Sequence, residues 1–260
     1  MRFLQAKLVL VLSLVFLVST LQARAQDGAQ PENLQPQAEQ LMALANHARA
    51  QAGAGPLYWD PALAQAALAH CALMVAKGPI SHQYPGEPGL AARTAQAGAH
   101  FSLIEENVAI GPDADAIHQE WMHSPGHRAN LLNPSVDRVG IAVLASHGIL
   151  YAVADYSRAV RSLSQSQVEA AVANLIRVSG IAILADPTVA RSYCATDHGP
   201  AGAPRPGFIM LWQGPDLTVM PKQLVDRLST GRYHRAAIGN CPNQNAQNGF
   251  TAYRIAVLLY

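Results

Sequence analysis

Apolar residues recur at helical spacing over much of the first half of the chain. In "AEQLMALANHARAQ", residues 38–51, Leu41, Leu44 and Ala45 share one face, which is the arrangement of an amphipathic helix. The segment before it, 26–36, is polar and contains two prolines. We therefore expect a flexible lead-in that is followed by a helix.

The run "WDPALAQAALAHCALMVAKG" carries the clearest helix start and stop signals in the chain. Asp60 suits the N-cap, Pro61 suits the first turn, and Gly78 suits the position after the last turn. A shorter helix is predicted from about residue 90 to 97. A fourth begins at Asp113 and brings Ile117 and Trp121 onto one face, where Trp121 is expected to join the core.

The period of the pattern changes after residue 136. The stretch "DRVGIAVLASHGILYAVADYS" contains two β-prone runs, joined by Ser146, His147 and Gly148, and this indicates a hairpin. Several helices ahead of an antiparallel hairpin are typical of an α+β layered domain.

Residues 165–260 repeat features of the first half. Residues 38–71 and the later stretch "QVEAAVANLIRVSGIAILADPTVARSYC" share four features: an amphipathic helix, a short apolar connection, an Asp-Pro helix start and a cysteine. Two interpretations stay open, a shortened and divergent second copy or an unrelated α+β extension. A different strand order in the two halves would rule out the copy. We expect domains at 37–157 and 165–260, with a linker at 158–164.

The first 25 residues have the pattern of a secretory signal peptide. Arg2 and Lys7 precede an apolar run from Leu8 to Leu21, and a small-x-small sequence ends at Ala25. The run is short of the roughly 20 residues that a membrane-spanning helix needs. We expect cleavage near Ala25, a secreted or periplasmic location, and no transmembrane segment in the mature chain.

Charge and cysteine content narrow the classes of partner and compartment. Without residues 1–25, the 18 Lys and Arg residues fall to 15, against 17 Asp and Glu, a formal charge of about −2 with no basic cluster. Nucleic-acid binding usually needs a basic face, so that partner class is not expected. Three cysteines are too few for a disulfide scaffold. In an exported chain we expect Cys194 to pair with Cys241, and Cys71 to be a buried apolar residue.

Three segments of the first half hold polar residues beside apolar ones. They are "ISHQY" with His82, "IEENVAIG" with Glu106, and "SPGHRAN" with His127. Two imidazoles and a carboxylate that converge on one cavity could bind zinc and hold a water molecule, with the carboxylate as base. The spacing is weak evidence by itself, because no helical His-Glu-x-x-His pair brings two ligands together locally.

The same segments resemble the bacterial branch of the CAP superfamily, which is also called SCP-like. "EENVAIG", "EWMHSPGHRANLLNP" and "VGIAV" occur in the order typical of that branch, and the likeness covers about residues 37–157. It implies an α-β-α sandwich with a shallow central cleft. The cleft of the family carries two His and two Glu, and its His pair is able to hold zinc. His82, Glu106 and His127 match three of these four positions.

The fourth position departs from the eukaryotic relatives. Ser124 stands where they have the second Glu, and Glu105 replaces the usual Gly before the Glu-Asn step, which makes Glu105 a candidate for the missing acid. Ser124 and Asn130 have an alternative role, which is to hydrogen-bond to backbone groups at helix ends or in turns. Arg128 has the alternative role of pairing with a carboxylate such as Glu106. The resemblance gives four cleft-supporting residues: Asn107, Ser124, Arg128 and Asn130.

Three functions are consistent with these residues. The first is an extracellular binding module whose cleft takes a divalent metal such as zinc, and whose ligand or protein partner is unknown. The second is a metal-dependent hydrolase in which Glu106 activates a zinc-bound water. The third is a structural or adhesive protein with a vestigial cleft. The missing fourth carboxylate favours the first.

Overall fold

The computed structural model describes residues 32–33, 35–242 and 249–260. The predicted signal peptide lies outside the described residues. The N-terminal half comprises β1 (Glu32–Asn33), α1 (Gln35–Gln51), β2 (Tyr58–Trp59), α2 (Pro61–Lys77), α3 (Leu90–Gln96), β3 (Phe101–Gly111), α4 (Ala114–His123), α5 (Pro125–Leu132), β4 (Arg138–Ser146) and β5 (Ile149–Ala159). The C-terminal half comprises α6 (Gln165–Arg177), β6 (Ala182–Ile183), α7 (Thr188–Thr196), β7 (Phe208–Gly214), α8 (Lys222–Leu228), β8 (Arg235–Cys241) and β9 (Tyr253–Leu259).

The local signals form the elements that they predict. The Asp60 side chain accepts hydrogen bonds from the first amides of α2, and Gly78 follows its last residue. His147 and Gly148 adopt positive φ angles in the turn between β4 and β5. Of the predicted lead-in, residues 26–36, Glu32–Asn33 pairs with β4 and α1 begins at Gln35, and the rest lies outside the described residues.

The first sheet has the strand order β1-β4-β5-β3, and β2 runs parallel to β4. Side chains of successive strand residues point to opposite faces, and both faces are covered here. One face, with Ile141, Val143, Ala152 and Ala154, packs on α1 and α4. The other, with Ala142, Leu144 and Val153, packs on α2. The predicted α-β-α sandwich is therefore confirmed, and β3 forms its edge.

The second sheet has the strand order β6-β8-β9-β7, which matches β2, β4, β5 and β3 of the first sheet. Strand β6 is parallel to β8, as β2 is to β4, and the remaining pairs are antiparallel. Helices α6 and α8 cover one face, and α7 covers the other. This strand order is the one that an internal copy requires, so the divergent-copy interpretation stays a prediction that the topology favours.

In each sheet, a helix packs directly against the backbone of a strand at a glycine. A Cβ added to Gly140 would lie 2.0 Å from the Ala64 nitrogen of α2, and one added to Gly239 would lie 2.2 Å from the Arg191 nitrogen of α7. Gly140 lies opposite Asp155, and Gly239 lies opposite Ala256. These two pairs align the sheets residue by residue.

The cysteines are arranged as predicted. Cys194 and Cys241 form a disulfide bond, and Cys71 is a free, fully buried thiol on α2. Burial raises the pKa of the Cys71 thiol to about 12, so Cys71 is an inert core residue at neutral pH. Within the part of the chain that the structure describes, no helix has the length and apolar character that crossing a bilayer demands.

Candidate functional site

Glu106 is the centre of a polar cluster at the edge of the first sheet. Its side chain points to the α2 face of β3 and is only 3% exposed. One carboxylate oxygen accepts a hydrogen bond from Nδ1 of His82 at 2.8 Å. The other forms an ion pair with the guanidinium of Arg93 from α3. Both oxygens of Glu106 are therefore engaged within the protein.

His82 lies in the loop after α2, with a side chain that is 60% exposed. Because its Nδ1 donates to Glu106, its Nε2 is left as the nitrogen available to a ligand. The hydrogen bond to Glu106 raises the pKa of the imidazole, and partial burial opposes that rise. A carboxylate that accepts from one ring nitrogen is the usual support of a metal-binding histidine.

His127, on α5, reaches the same place from the opposite side of β3. Its ring centre lies 6.2 Å from that of His82, with the ring planes at 55°. Its buried Nδ1 has no hydrogen-bond partner among the described residues. Burial lowers the pKa of His127, and the neighbouring His82 lowers it further. The surroundings of His127 therefore favour its uncharged form.

Two asparagines hold α5 against the edge of the sheet. The amide of Asn107 donates to the main-chain carbonyl of His127 at 2.9 Å. The amide of Asn130 donates to the carbonyl of Glu106 at 3.0 Å and to the side-chain oxygen of Asn107 at 3.1 Å. These bonds satisfy polar groups that an edge strand would otherwise leave unpaired, and they fix the position of His127.

A buried histidine fixes the loop that carries His82. Nδ1 of His70, on α2, lies 2.7 Å from a carboxylate oxygen of Glu87, and its Nε2 lies 2.8 Å from the carbonyl of Ser81. Glu87 also accepts a hydrogen bond from the Tyr84 amide. The His70 side chain is fully buried, so the loop is held from inside the protein.

The matches with known proteins agree with this arrangement. Residues 42–156 match the family model described as the cysteine-rich secretory protein family, CAP. These residues form a CAP domain. The match includes every residue of the cluster described above, and the C-terminal half lies beyond it.

Two relatives from Bacillus subtilis share part of the chain. The uncharacterized protein YkwD is 28% identical over 120 residues, which cover 46% of this chain and 47% of YkwD. The uncharacterized membrane protein YlbC is 30% identical over 106 residues, which cover 40% of this chain and 31% of YlbC. The chain spans less than half the length of these curated relatives.

Solved structures are similar over the same part of the chain. An extracellular SCP-domain protein of Bacillus anthracis is 29% identical, with a TM-score of 0.44 and coverage of 47% of this chain and 40% of that one. An outer surface protein of Borrelia burgdorferi is 20% identical, with a TM-score of 0.47 and coverage of 50% and 99%.

The CAP domain contains a second buried acid that the sequence motifs did not indicate. Asp155 lies directly opposite Glu106 on β5 and is fully buried. Neither of its oxygens has a hydrogen-bond partner among the described residues. Burial raises the pKa of Asp155 well above its usual range, and the charge of Glu106 adds to the rise. The surroundings of Asp155 therefore favour the protonated form of its carboxyl group.

The Asp155→Asn variant is expected to remove a pH-dependent loss of stability. Between about pH 4, where an unfolded aspartate ionises, and the raised pKa of the folded protein, the native state holds a proton that the unfolded state releases. The free energy of unfolding of the wild-type protein therefore falls as pH rises, by at most about 1.4 kcal/mol per pH unit for one proton. Asparagine keeps a donor toward Glu106 but does not titrate.

Urea unfolding of both proteins at several pH values between 4 and 7 measures this difference. The stability of Asp155→Asn relative to wild type should increase steadily with pH. Parallel profiles for the two proteins would mean that Asp155 is ionised in the folded state.

Three residues predicted from the sequence lie apart from the Glu106 cluster. The Arg128 side chain is exposed, and the guanidinium partner of Glu106 is Arg93, which corrects the expected pairing with Arg128. Ser124 links α4 to α5 through its backbone and makes no side-chain cap bond. Glu105 accepts a hydrogen bond from Asn133 at 2.9 Å and points to the face opposite Glu106, so it does not supply the missing acid.

The two imidazoles fit a metal ion better than the carboxylate does. Zinc–nitrogen bonds are about 2 Å long, so two imidazoles on one ion have ring centres roughly 5–6 Å apart. The observed separation between the two ring centres, 6.2 Å, is slightly wider than this range. Among the described residues, no group of three or more His, Cys, Asp or Glu side chains is arranged around a metal position.

A cavity of about 420 Å³ lies between the CAP domain and the C-terminal half. It has an apolar floor that includes Leu163 and Leu175, and Arg158 and Arg161 also line it. No residue of the Glu106 cluster lines this cavity.

The C-terminal half has apolar residues at the sheet positions that correspond to those of the polar cluster. Aligned through Gly140 and Gly239, Asp155 corresponds to Ala256, Glu106 to Leu211, and Asn107 to Trp212. Helices corresponding to α3 and α5, which carry Arg93 and His127, are absent from its described residues. A site of this kind is therefore confined to the CAP domain.

Proposed function

We propose that the CAP domain is an extracytoplasmic binding module whose cleft takes one divalent metal ion between His82 and His127. This proposal rests on one observation: each of the two imidazole rings has a nitrogen without a hydrogen-bond partner among the described residues. Nδ1 of His82 is fixed on Glu106, so Nε2 remains free, and the buried Nδ1 of His127 has no partner among the described residues. Imidazole nitrogens are preferred ligands of zinc.

The remaining coordination positions would be open. Structural zinc sites have four protein ligands and catalytic sites usually have three, whereas this cleft offers two imidazoles. Binding is therefore weaker than in those sites, and an oxygen or nitrogen group of an extracellular ligand or protein partner would complete the shell. The chemical identity of that partner is not encoded in the cluster.

Binding is favoured over hydrolysis by the state of Glu106. A general base needs a lone pair directed at the water that it activates, and both oxygens of Glu106 are held by His82 and Arg93. Its role in this proposal is to orient His82 and to set the tautomer of the ring. The hydrolase hypothesis requires Glu106 to leave one of these partners.

An oxidising compartment is supported by the Cys194–Cys241 disulfide. Such bonds form and persist mainly in extracellular and periplasmic proteins. The signal-like sequence of residues 1–25 points to the same compartment, so we propose that the protein is exported.

Calorimetric titration with zinc tests the proposed metal site. Wild type should bind one ion per chain at neutral pH, and binding should weaken as the solution is acidified, because protons compete for the imidazole nitrogens. His82→Ala and His127→Ala should each abolish the binding heat. His123→Ala, which alters an exposed histidine nearby on α4, is the matched control and should bind like wild type.

Either of two results would count against the metal site. Wild type that binds no zinc at neutral pH removes the proposed function. Zinc binding that survives both His82→Ala and His127→Ala places the ion elsewhere in the protein.

A further inference from the structure

A short segment of the C-terminal half lies against α3 of the CAP domain. Gly249 has φ +83°, and a Cβ added to it would lie 2.3 Å from the carbonyl oxygen of Ala91. Only glycine suits both this backbone conformation and this close approach. The amide of Thr251 donates to the carbonyl of Phe101 at 2.7 Å, and the Phe250 ring packs edge-on against Phe101 at 5.4 Å.

Helix α3 depends on such contacts for its position. It has only seven residues and no side-chain hydrogen bond at its N-cap. A helix this short is not stable without tertiary packing. Its buried side chains are Arg93 and Thr94, so one side of α3 is fixed by the CAP domain and Ala91 meets the C-terminal half.

The position of α3 in turn decides where the Arg93 guanidinium lies. Arg93 pairs with Glu106 and also donates to the main-chain carbonyl of His82 at 3.3 Å. A shift of α3 would therefore move the partner of Glu106 and loosen the loop of His82 together. No other described residue makes an ion pair with Glu106 through a guanidinium or an ammonium group.

We propose that the C-terminal half acts as a clamp on the cleft, and that Gly249, Phe250 and Thr251 are positioning residues that hold α3 so that Arg93 stays on Glu106. The clamp rests on the proposed function, because in it the C-terminal half holds the residues of that same cleft in position. It also gives a role to a half that shares the sheet topology but has apolar residues at the sheet positions that correspond to those of the polar cluster.

Native-state hydrogen exchange and the side-chain Nε–H resonance of Arg93 test the clamp in the full chain. Gly249→Ala should speed amide exchange in α3 by about tenfold or more and should shift or broaden the Arg93 signal. Gly202→Ala is the matched control, since Gly202 also has a positive φ, +78°, but has open space around it. It imposes similar backbone strain within the C-terminal half and should leave α3 and Arg93 unchanged.

A second pair of variants avoids any dependence on backbone strain. Phe250→Ala removes the ring that packs on Phe101 and should reproduce the effect of Gly249→Ala. Phe250→Tyr keeps the ring, which is 42% exposed, and should behave like wild type. This rescue separates the edge-on contact from a general change in the stability of the segment.

The outcomes decide the clamp independently of the metal site. Unchanged α3 exchange in both Gly249→Ala and Phe250→Ala overturns the proposal. Faster exchange with an unaltered Arg93 signal also overturns it, because α3 would then move without displacing the guanidinium. Failure of wild type to bind zinc removes the proposed function, yet these measurements on α3 and Arg93 remain decisive for the clamp.

Discussion

Replacing Arg49 with methionine is expected to lower the free energy of unfolding by about 4 kcal/mol or more. The Arg49 side chain is fully buried at the end of α1. Its guanidinium donates to four main-chain carbonyls, those of Gly55, Leu131, Asn133 and Val136, at 2.7–3.0 Å. Methionine fills a similar volume but removes all four hydrogen bonds, two of which are buried, those to Leu131 and Val136. Each hydrogen bond to a charged donor contributes about 1.5–3 kcal/mol.

Urea unfolding followed by circular dichroism measures this loss. Arg128→Met, which alters an exposed arginine on α5, is the control and should change stability by no more than about 0.5 kcal/mol. Because three of the four carbonyls belong to the last turn of α5 and to the segment that joins it to β4, the Arg49 variant should also loosen α5 and His127. A loss similar to that of the control would show that water reaches those carbonyls.

Arg93→Met is expected to cost about 3–5 kcal/mol at neutral pH, the usual result of removing one partner of a buried ion pair. Both side chains are more than nine-tenths buried, with Arg93 7% and Glu106 3% exposed. Without the guanidinium, the buried Glu106 carboxylate keeps its hydrogen bond to His82 but loses its permanently charged partner, and it lies opposite Asp155 on β5. The same unfolding experiment measures the loss.

Two further variants isolate the role of charge. Arg93→Met combined with Glu106→Gln should recover part of the loss, because the neutral amide needs no counter-ion. Arg191→Met removes a similar pair with Glu169, but Arg191 is 38% exposed, so its loss should stay below about 1 kcal/mol. Equal losses for Arg93→Met and Arg191→Met would contradict the buried pair.

The elements of the fold could be predicted because their signals are local. Asp60 and Pro61 at the start of α2, Gly78 at its end, and the His147-Gly148 turn each act on neighbouring backbone groups. The two faces of the first sheet follow from the alternation along β4 and β5. These features need no knowledge of which distant segments meet.

The candidate site could be predicted only in part. His82, Glu106 and His127 are marked by the family resemblance, and the structure brings them together across β3. Arg93 stands in an alanine-rich helix with no neighbouring motif, so only the packing of α3 shows that it meets Glu106. His70 has no matching motif around it in the sequence, and its place under the His82 loop depends on Glu87, which is 17 residues away.

Asp155 left one signal in the sequence. It is an acid within the otherwise apolar run "LYAVADY" of a strand that packs on both faces. A buried acid in such a strand needs a partner or a proton, but the sequence does not reveal that Glu106 lies opposite. Likewise, the repeat was suggested by the Asp-Pro starts and the cysteines, whereas the structure aligns the halves through Gly140 and Gly239.

X-ray diffraction from zinc-soaked crystals, measured at the zinc absorption edge, shows whether His82 and His127 share one metal position at the edge of the first sheet. We expect one strong anomalous peak about 2 Å from a ring nitrogen of each histidine, with Nδ1 of His82 still on Glu106. A peak bound to other residues, or no peak between these two rings, would contradict the shared position.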